Sequence, residues 1–179
     1  MQDKDIIRYE GGSILYDNDN VTVCNIIEDN YVKGLDNENT YQLNFLCCHD
    51  KRTISNLNFI KKLMLNNCHN LKNIFNIKLL IILTINQCKK LKHLGNCASI
   101  EILNLHDGMN IKDVGDMRQL KEIHIYCDVE ELKGIYLLKN LKCMSININS
   151  YNKIERQIKK LKKINPRINI MFIEEIVIK

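Results

Sequence analysis

Residues Leu63–Ile74 read LMLNNCHNLKNI, and twenty residues later Leu83–Leu94 read LTINQCKKLKHL. Leu63 and Leu83, Leu65 and Ile85, Cys68 and Cys88, Leu71 and Leu91, and Ile74 and Leu94 fall at the same offsets, while almost everything between them varies. A chain that holds a few apolar positions at a fixed period and releases the rest is a stack of like units.

Extending the frame outward shows how far the stack runs. With Ile60 as position 1, the apolar template is Ile60, Leu63, Leu65, Cys68, Leu71, Ile74 and Ile77. The next unit has Leu80, Leu83, Ile85, Cys88, Leu91, Leu94 and Cys97, and the one after it Ile100, Leu103, Leu105, Gly108, Ile111, Val114 and Met117. A further unit opens with Leu120, Ile123, Ile125 and Asp128, then slips by one residue to Leu132, Ile135 and Leu138. Another opens with Leu141, Met144, Ile146 and Asn149, and Thr40, Leu43, Phe45 and Cys48 carry the frame backwards. About six units therefore begin at 40, 60, 80, 100, 120 and 141.

The chemistry of the fixed positions predicts the shape of a unit. Positions 4 and 6 are two apart and point to one face of a short strand, while 3, 5 and 7 point to the other. Position 9 lies where the chain turns away, and positions 12, 15 and 18 cover the same core from the returning arm. One such coil cannot bury its apolar face alone, so neighbours stack into a continuous core. Twenty residues leave little room for a helix on the return, and turns with short 3₁₀ pieces are expected there.

The pattern LxxLxLxxC followed by LxxI resembles the leucine-rich repeat, over residues 40 to about 150. That resemblance implies an α/β solenoid with a parallel sheet lining a concave face, and a position-9 side chain bonded to the backbone of the turn. The implied turn column is Cys48, Cys68, Cys88, Asp128 and Asn149, with Gly108 unable to make the bond. Proteins of this family generally act as adaptors, inhibitors or recognition subunits.

Both ends of a solenoid need caps. Residues 1–39 alternate β-prone runs with turn signals at Gly11-Gly12 and Asp17–Asn20, which predicts an N-terminal β cap. In residues 151–179, Ile154, Ile158, Leu161 and Ile164 form one helical stripe ended by Pro166, and RINIMFI follows as a final strand. The helical stretch, with Arg167 just after it, carries Lys153, Arg156, Lys159, Lys160, Lys162, Lys163 and Arg167 against Glu155 alone, so the net charge of +5 arises there. The basic run suits nucleic acid, an acidic partner or nuclear import; it better suits a solvated capping face whose lysines protect the last sheet edge.

Composition bounds the rest. The 179 residues suit one domain, and no apolar run approaches the ~20 residues of a membrane span. The opening MQDKDIIRYEGG lacks the apolar core of a secretory signal, so a cytoplasmic or nuclear protein is expected. Eight cysteines without paired C-x₂-C motifs read as reduced, mostly buried thiols rather than disulfides or a zinc site. No phosphate loop, G-x-S-x-G elbow, H-E-x-x-H or dinucleotide fingerprint occurs, so neither catalysis nor a cofactor is expected.

What remains is the strand face away from the core. Positions 3, 5 and 7 there include Lys62, Met64, Ile82, Thr84, Ile102, Asn104, His106, Glu122, His124 and Tyr126. Six strands about 4.8 Å apart make a surface roughly 24 Å long, sized for a protein rather than a small molecule. The expectation is a non-catalytic module that binds a protein partner through this face. The alternative is a nucleic-acid-associated factor using the basic helix, distinguished by its salt dependence.

Overall fold

The computed structural model describes residues 6–9, 12–16, 22–27, 40–48, 52–95, 97–107 and 111–173. Three strands come first, β1 (Ile6–Tyr9), β2 (Gly12–Tyr16) and β3 (Thr22–Ile27). The coils then contribute β4 (Thr40–Leu46), β5 (Thr53–Ser55), β6 (Lys62–Asn66), β7 (Asn73–Phe75), β8 (Ile82–Asn86), β9 (His93–Gly95), β10 (Ile102–Leu105) and β11 (Glu122–Ile125). A 3₁₀ turn at Ile135–Leu137, β12 (Cys143–Asn147), α1 (Ile148–Ile164) and β13 (Asn169–Ile173) are the last of the described elements.

The principal sheet has the order β1-β2-β3-β4-β6-β8-β10-β11-β12-β13. From β3 onward neighbouring strands are parallel, whereas β1-β2 and β2-β3 pair antiparallel. The N-terminal strands thus continue the sheet instead of folding across its end. Leu63 aligns with Leu83, Leu83 with Leu103, and Leu103 with Ile123, so the twenty-residue period is the strand register. The architecture is a solenoid of stacked parallel-strand coils with one helix at its C-terminal end.

The fixed positions are the core. Leu63, Leu65, Cys68, Leu71, Ile74 and Ile77, with their equivalents one coil on, are between 0% and 9% exposed. Burying a Leu or Ile side chain contributes roughly 1.5–3 kcal/mol, and each coil completes that burial only by packing against its neighbours. That coupling explains why the same offsets recur.

The returning arm differs from the expected turns and 3₁₀ pieces. In three coils it holds a strand, and β5, β7 and β9 form a second parallel sheet. Each has one inward residue, Ile54, Ile74 or Leu94, which faces the core between the two sheets. Asn56 and Asn76, at φ 58° and 56°, close two of these strands in the left-handed region that Asn tolerates better than most residues. The 3₁₀ piece occurs once among the described residues, at Ile135–Leu137, after the one-residue slip.

In the last coil the arm is α1. It begins at Ile148, three residues before the cap anticipated at 151, because Asn147 accepts a hydrogen bond from the Ser150 amide at 2.7 Å and caps it. Ile154, Ile158 and Leu161 are buried, while Ile164 is 50% exposed and lies off the predicted stripe. No helix among the described residues is long and apolar enough to cross a membrane.

Candidate interaction face

The strands alternate so that core positions point inward and the intervening positions face out. In β6 the pattern is partly buried, buried, exposed, buried, partly buried, with Lys62, Met64 and Asn66 on the outer face. Register carries this face across the sheet without a shift. Lys62 pairs with Ile82, Ile82 with Ile102, and Ile102 with Glu122; Met64 pairs with Thr84, Thr84 with Asn104, and Asn104 with His124. All ten face residues named from the sequence stand on one surface, with His106 and Tyr126 just past the ends of β10 and β11.

Much of this surface is held by its own side chains. Asn104 donates to Thr84 Oγ1 at 3.0 Å, and Asn86 donates to Asn66 Oδ1 at 3.1 Å. These ladders run perpendicular to the strands and fix rotamers that a partner would otherwise have to order, which lowers the entropic cost of binding. His124 Nδ1 lies 3.0 Å from Ser145 Oγ and Nε2 lies 3.4 Å from Glu122 Oε2, so the imidazole is held from both sides. Ser145 is only 5% exposed in mid-strand, with β12 paired on both edges, and the linkage acts to position the ring.

The apolar and aromatic part of the face is uneven. Met64 and Tyr126 are exposed, at 37% and 44%, while Ile82 and Ile102 are half-buried between charged neighbours. Tyr126 stacks on His106 with ring centroids 4.5 Å apart and planes 10° from parallel. Burial lowers the His106 pKa, with Asp107 opposing in part, so the stacked ring is neutral at pH 7. Among the described residues no three His, Cys, Asp or Glu side chains converge as a metal site would need.

Two features were not anticipated: Ser145 and Asn147, on the same outward columns, are buried, and Met171 and Ile173 on β13 extend those columns past β12. The signal for Asn147 as the cap of α1 was an Asn opening the stretch where the period breaks and a helical stripe begins.

In the turn column, Cys48, Cys68 and Cys88 are buried, and their thiols donate to backbone carbonyls. Cys88 Sγ reaches Asn86 O at 3.3 Å, Cys68 Sγ reaches Asn66 O at 3.5 Å, and Cys48 Sγ reaches Leu46 O at 3.7 Å. Gly108 lies outside the described residues. Asp128 and Asn149 do not take the same place. Asp128 is exposed while Cys127, one residue earlier, is buried, because the slip shifts the turn. Asn149 is exposed within α1, and Asn147 instead reaches back to Cys127 O at 3.3 Å.

The basic helix presents its charges outward, but several are engaged. Lys153 meets Glu130 at 2.6 Å and Asp128 at 3.8 Å, Lys159 meets Glu155 at 3.0 Å, and Lys160 sits 5.8 Å from the Tyr136 ring centroid. Arg156, Lys162, Lys163 and Arg167 are exposed and make no ion pair with the described residues. No protein-family model matches the chain, and no curated protein matches it, so the geometry alone carries the functional argument.

Proposed function

We propose that this protein is a non-catalytic protein–protein interaction module of leucine-rich-repeat type, binding its partner through the face formed by β6, β8, β10 and β11. The observation that carries this reading is a division of labour. The invariant positions are spent on the core, whereas the outward positions form a continuous surface already fixed by Thr84–Asn104 and Asn66–Asn86 ladders. Exposed Met64 supplies an adaptable apolar contact and the stacked Tyr126–His106 pair a rigid aromatic one, the kinds of side chain on which interface centres are built. What favours the repeat type is the cysteine column, whose thiols donate to the last carbonyl of their own coil's strand, at Leu46, Asn66 and Asn86.

A second reading uses the basic helix, because Arg156, Lys162, Lys163 and Arg167 remain available to phosphates. Affinity capture from cells of the source separates the two. The wild type is compared with Ile82→Glu/Tyr126→Ala and with Arg156→Glu/Lys162→Glu/Lys163→Glu, at low and high salt. Loss of a captured protein with the face variant alone is expected. Loss with the helix variant alone, with bound nucleic acid falling steeply as salt rises, would transfer the function to α1.

A further inference from the structure

We infer that the strand face is self-complementary and takes a second copy of this chain; this rests on the reading of that face as the binding surface. Its first column runs Lys62, Ile82, Ile102, Glu122 across β6, β8, β10 and β11, in strict register. The order is cation, apolar, apolar, anion, symmetric about the line between β8 and β10. An isologous contact demands such an arrangement, since every residue must suit the residue that symmetry brings against it.

The operation is a two-fold axis lying in the interface, parallel to the strands and midway between β8 and β10. It reverses the direction of stacking and keeps the direction of each strand. Strand β6 then opposes β11 of the second copy, and β8 opposes β10. Lys62 meets Glu122 of the partner subunit, and Glu122 meets Lys62 of the partner subunit. Ile82 and Ile102 lie against one another across the axis, where their half-buried side chains lose their remaining contact with water. In the next columns Met64 opposes the partner's His124, and Tyr126 opposes the partner's Asn66, so no like charges meet.

The fold suits this geometry. Between β4 and β10 the returning arm is itself a parallel sheet, with β5, β7 and β9 in register. Over these coils both arms therefore advance by the same spacing, about 4.8 Å per coil, which keeps this half of the strand face from curving away from a partner. Glu122 is 45% exposed at its side chain, with a 3.4 Å contact to His124, and Lys62 Nζ lies 5.3 Å from the Tyr41 ring centroid. Both charges can reach across. Six strands of about five residues cover roughly 29 by 16 Å, or about 900 Å² counted over both copies, which places the dimer among weak, reversible complexes.

Sedimentation velocity of the full chain over about 5 to 500 µM tests the proposal, a range suited to weak dimers. The wild type is expected to pass reversibly from monomer to dimer. Lys62→Glu and Glu122→Lys should each weaken association at least about tenfold, since each replaces two attractive contacts by repulsive ones. An equimolar mixture of these two variants restores opposite charges at both contacts and should dimerise again, which no general loss of folding could mimic. Lys62→Gln and Glu122→Gln, which introduce no repulsion, should weaken it less. A wild type monomeric throughout, single variants that self-associate like the wild type, or a mixture that stays monomeric would each overturn the proposal. A monomeric wild type whose captured partner is still lost with Ile82→Glu/Tyr126→Ala would remove the second copy and leave the interaction face standing.

Discussion

Among single residues, the cysteines show most clearly how burial governs chemistry. Cys97 and Cys127 are 1% and 5% exposed, and burial pushes each thiol from an ordinary 9.0 up to about 11, with Asp107 and Asp128 adding to it at Cys127. A thiol whose pKa is raised on folding stays protonated in the native state while the unfolded chain ionises. Stability is therefore full below pH 9 and is lost as pH rises toward 11, by up to about 2–3 kcal/mol per thiol. The melting temperature of the wild type should fall more between pH 8 and 10.5 than that of Cys97→Ala/Cys127→Ala. Equal falls would show that these thiols do not titrate as burial requires. The outward residues were legible at this scale, because a period of two inside a period of twenty fixes direction. Asp128 was not, since the slip first shows at Leu132 and leaves open on which side of the turn the extra residue lies, and Asn149 was not, since α1 already begins at Ile148.

Elements obey constraints that individual residues do not display. Strands β5, β7 and β9 are three residues long with one inward side chain each, too short for alternation to register in the sequence. Their usable signal was the Asn that follows, at 56 and 76. After the slip, the arms approach so closely that Gly134, at φ 75°, would place an added Cβ 2.3 Å from Gly115 Cα and 2.5 Å from its nitrogen. Both atoms are backbone and cannot step aside. Gly134→Ala should cost about 3 kcal/mol or more, read as a lower urea midpoint. Gly115→Ala, with its nearest contacts at 3.2 Å, should cost less, and the reverse order would contradict the close approach. At the start of α1, Ser150 Oγ accepts from Val129 N at 2.8 Å and donates to Cys127 O at 2.9 Å while fully buried. Ser150→Ala strands the Val129 amide, and a loss of about 1–3 kcal/mol in chemical denaturation is expected.

In the whole molecule, the same period that builds the core also aligns the outward columns, so one repeat specifies stability and surface together. The sequence made this architecture visible because solenoid contacts are between neighbours twenty residues apart. The partner was not visible, because face positions are free of that constraint and carry no period of their own. Their chemistry emerges only when register sets Lys62, Ile82, Ile102 and Glu122 side by side. The account stands or falls on whether this face is covered when the protein is engaged. Cys143 reports on it directly: it is half-buried on the face, paired with Glu122 on one side and Asn169 on the other. Cys47, also half-buried, lies on the turn beyond the end of β4 and serves as reference. The measurement is the alkylation rate of each thiol, by peptide mass spectrometry, in dilute protein and in the captured complex. A several-fold slowing at Cys143 with little change at Cys47 is predicted, and an unchanged ratio would mean that the strand face is not where this protein binds.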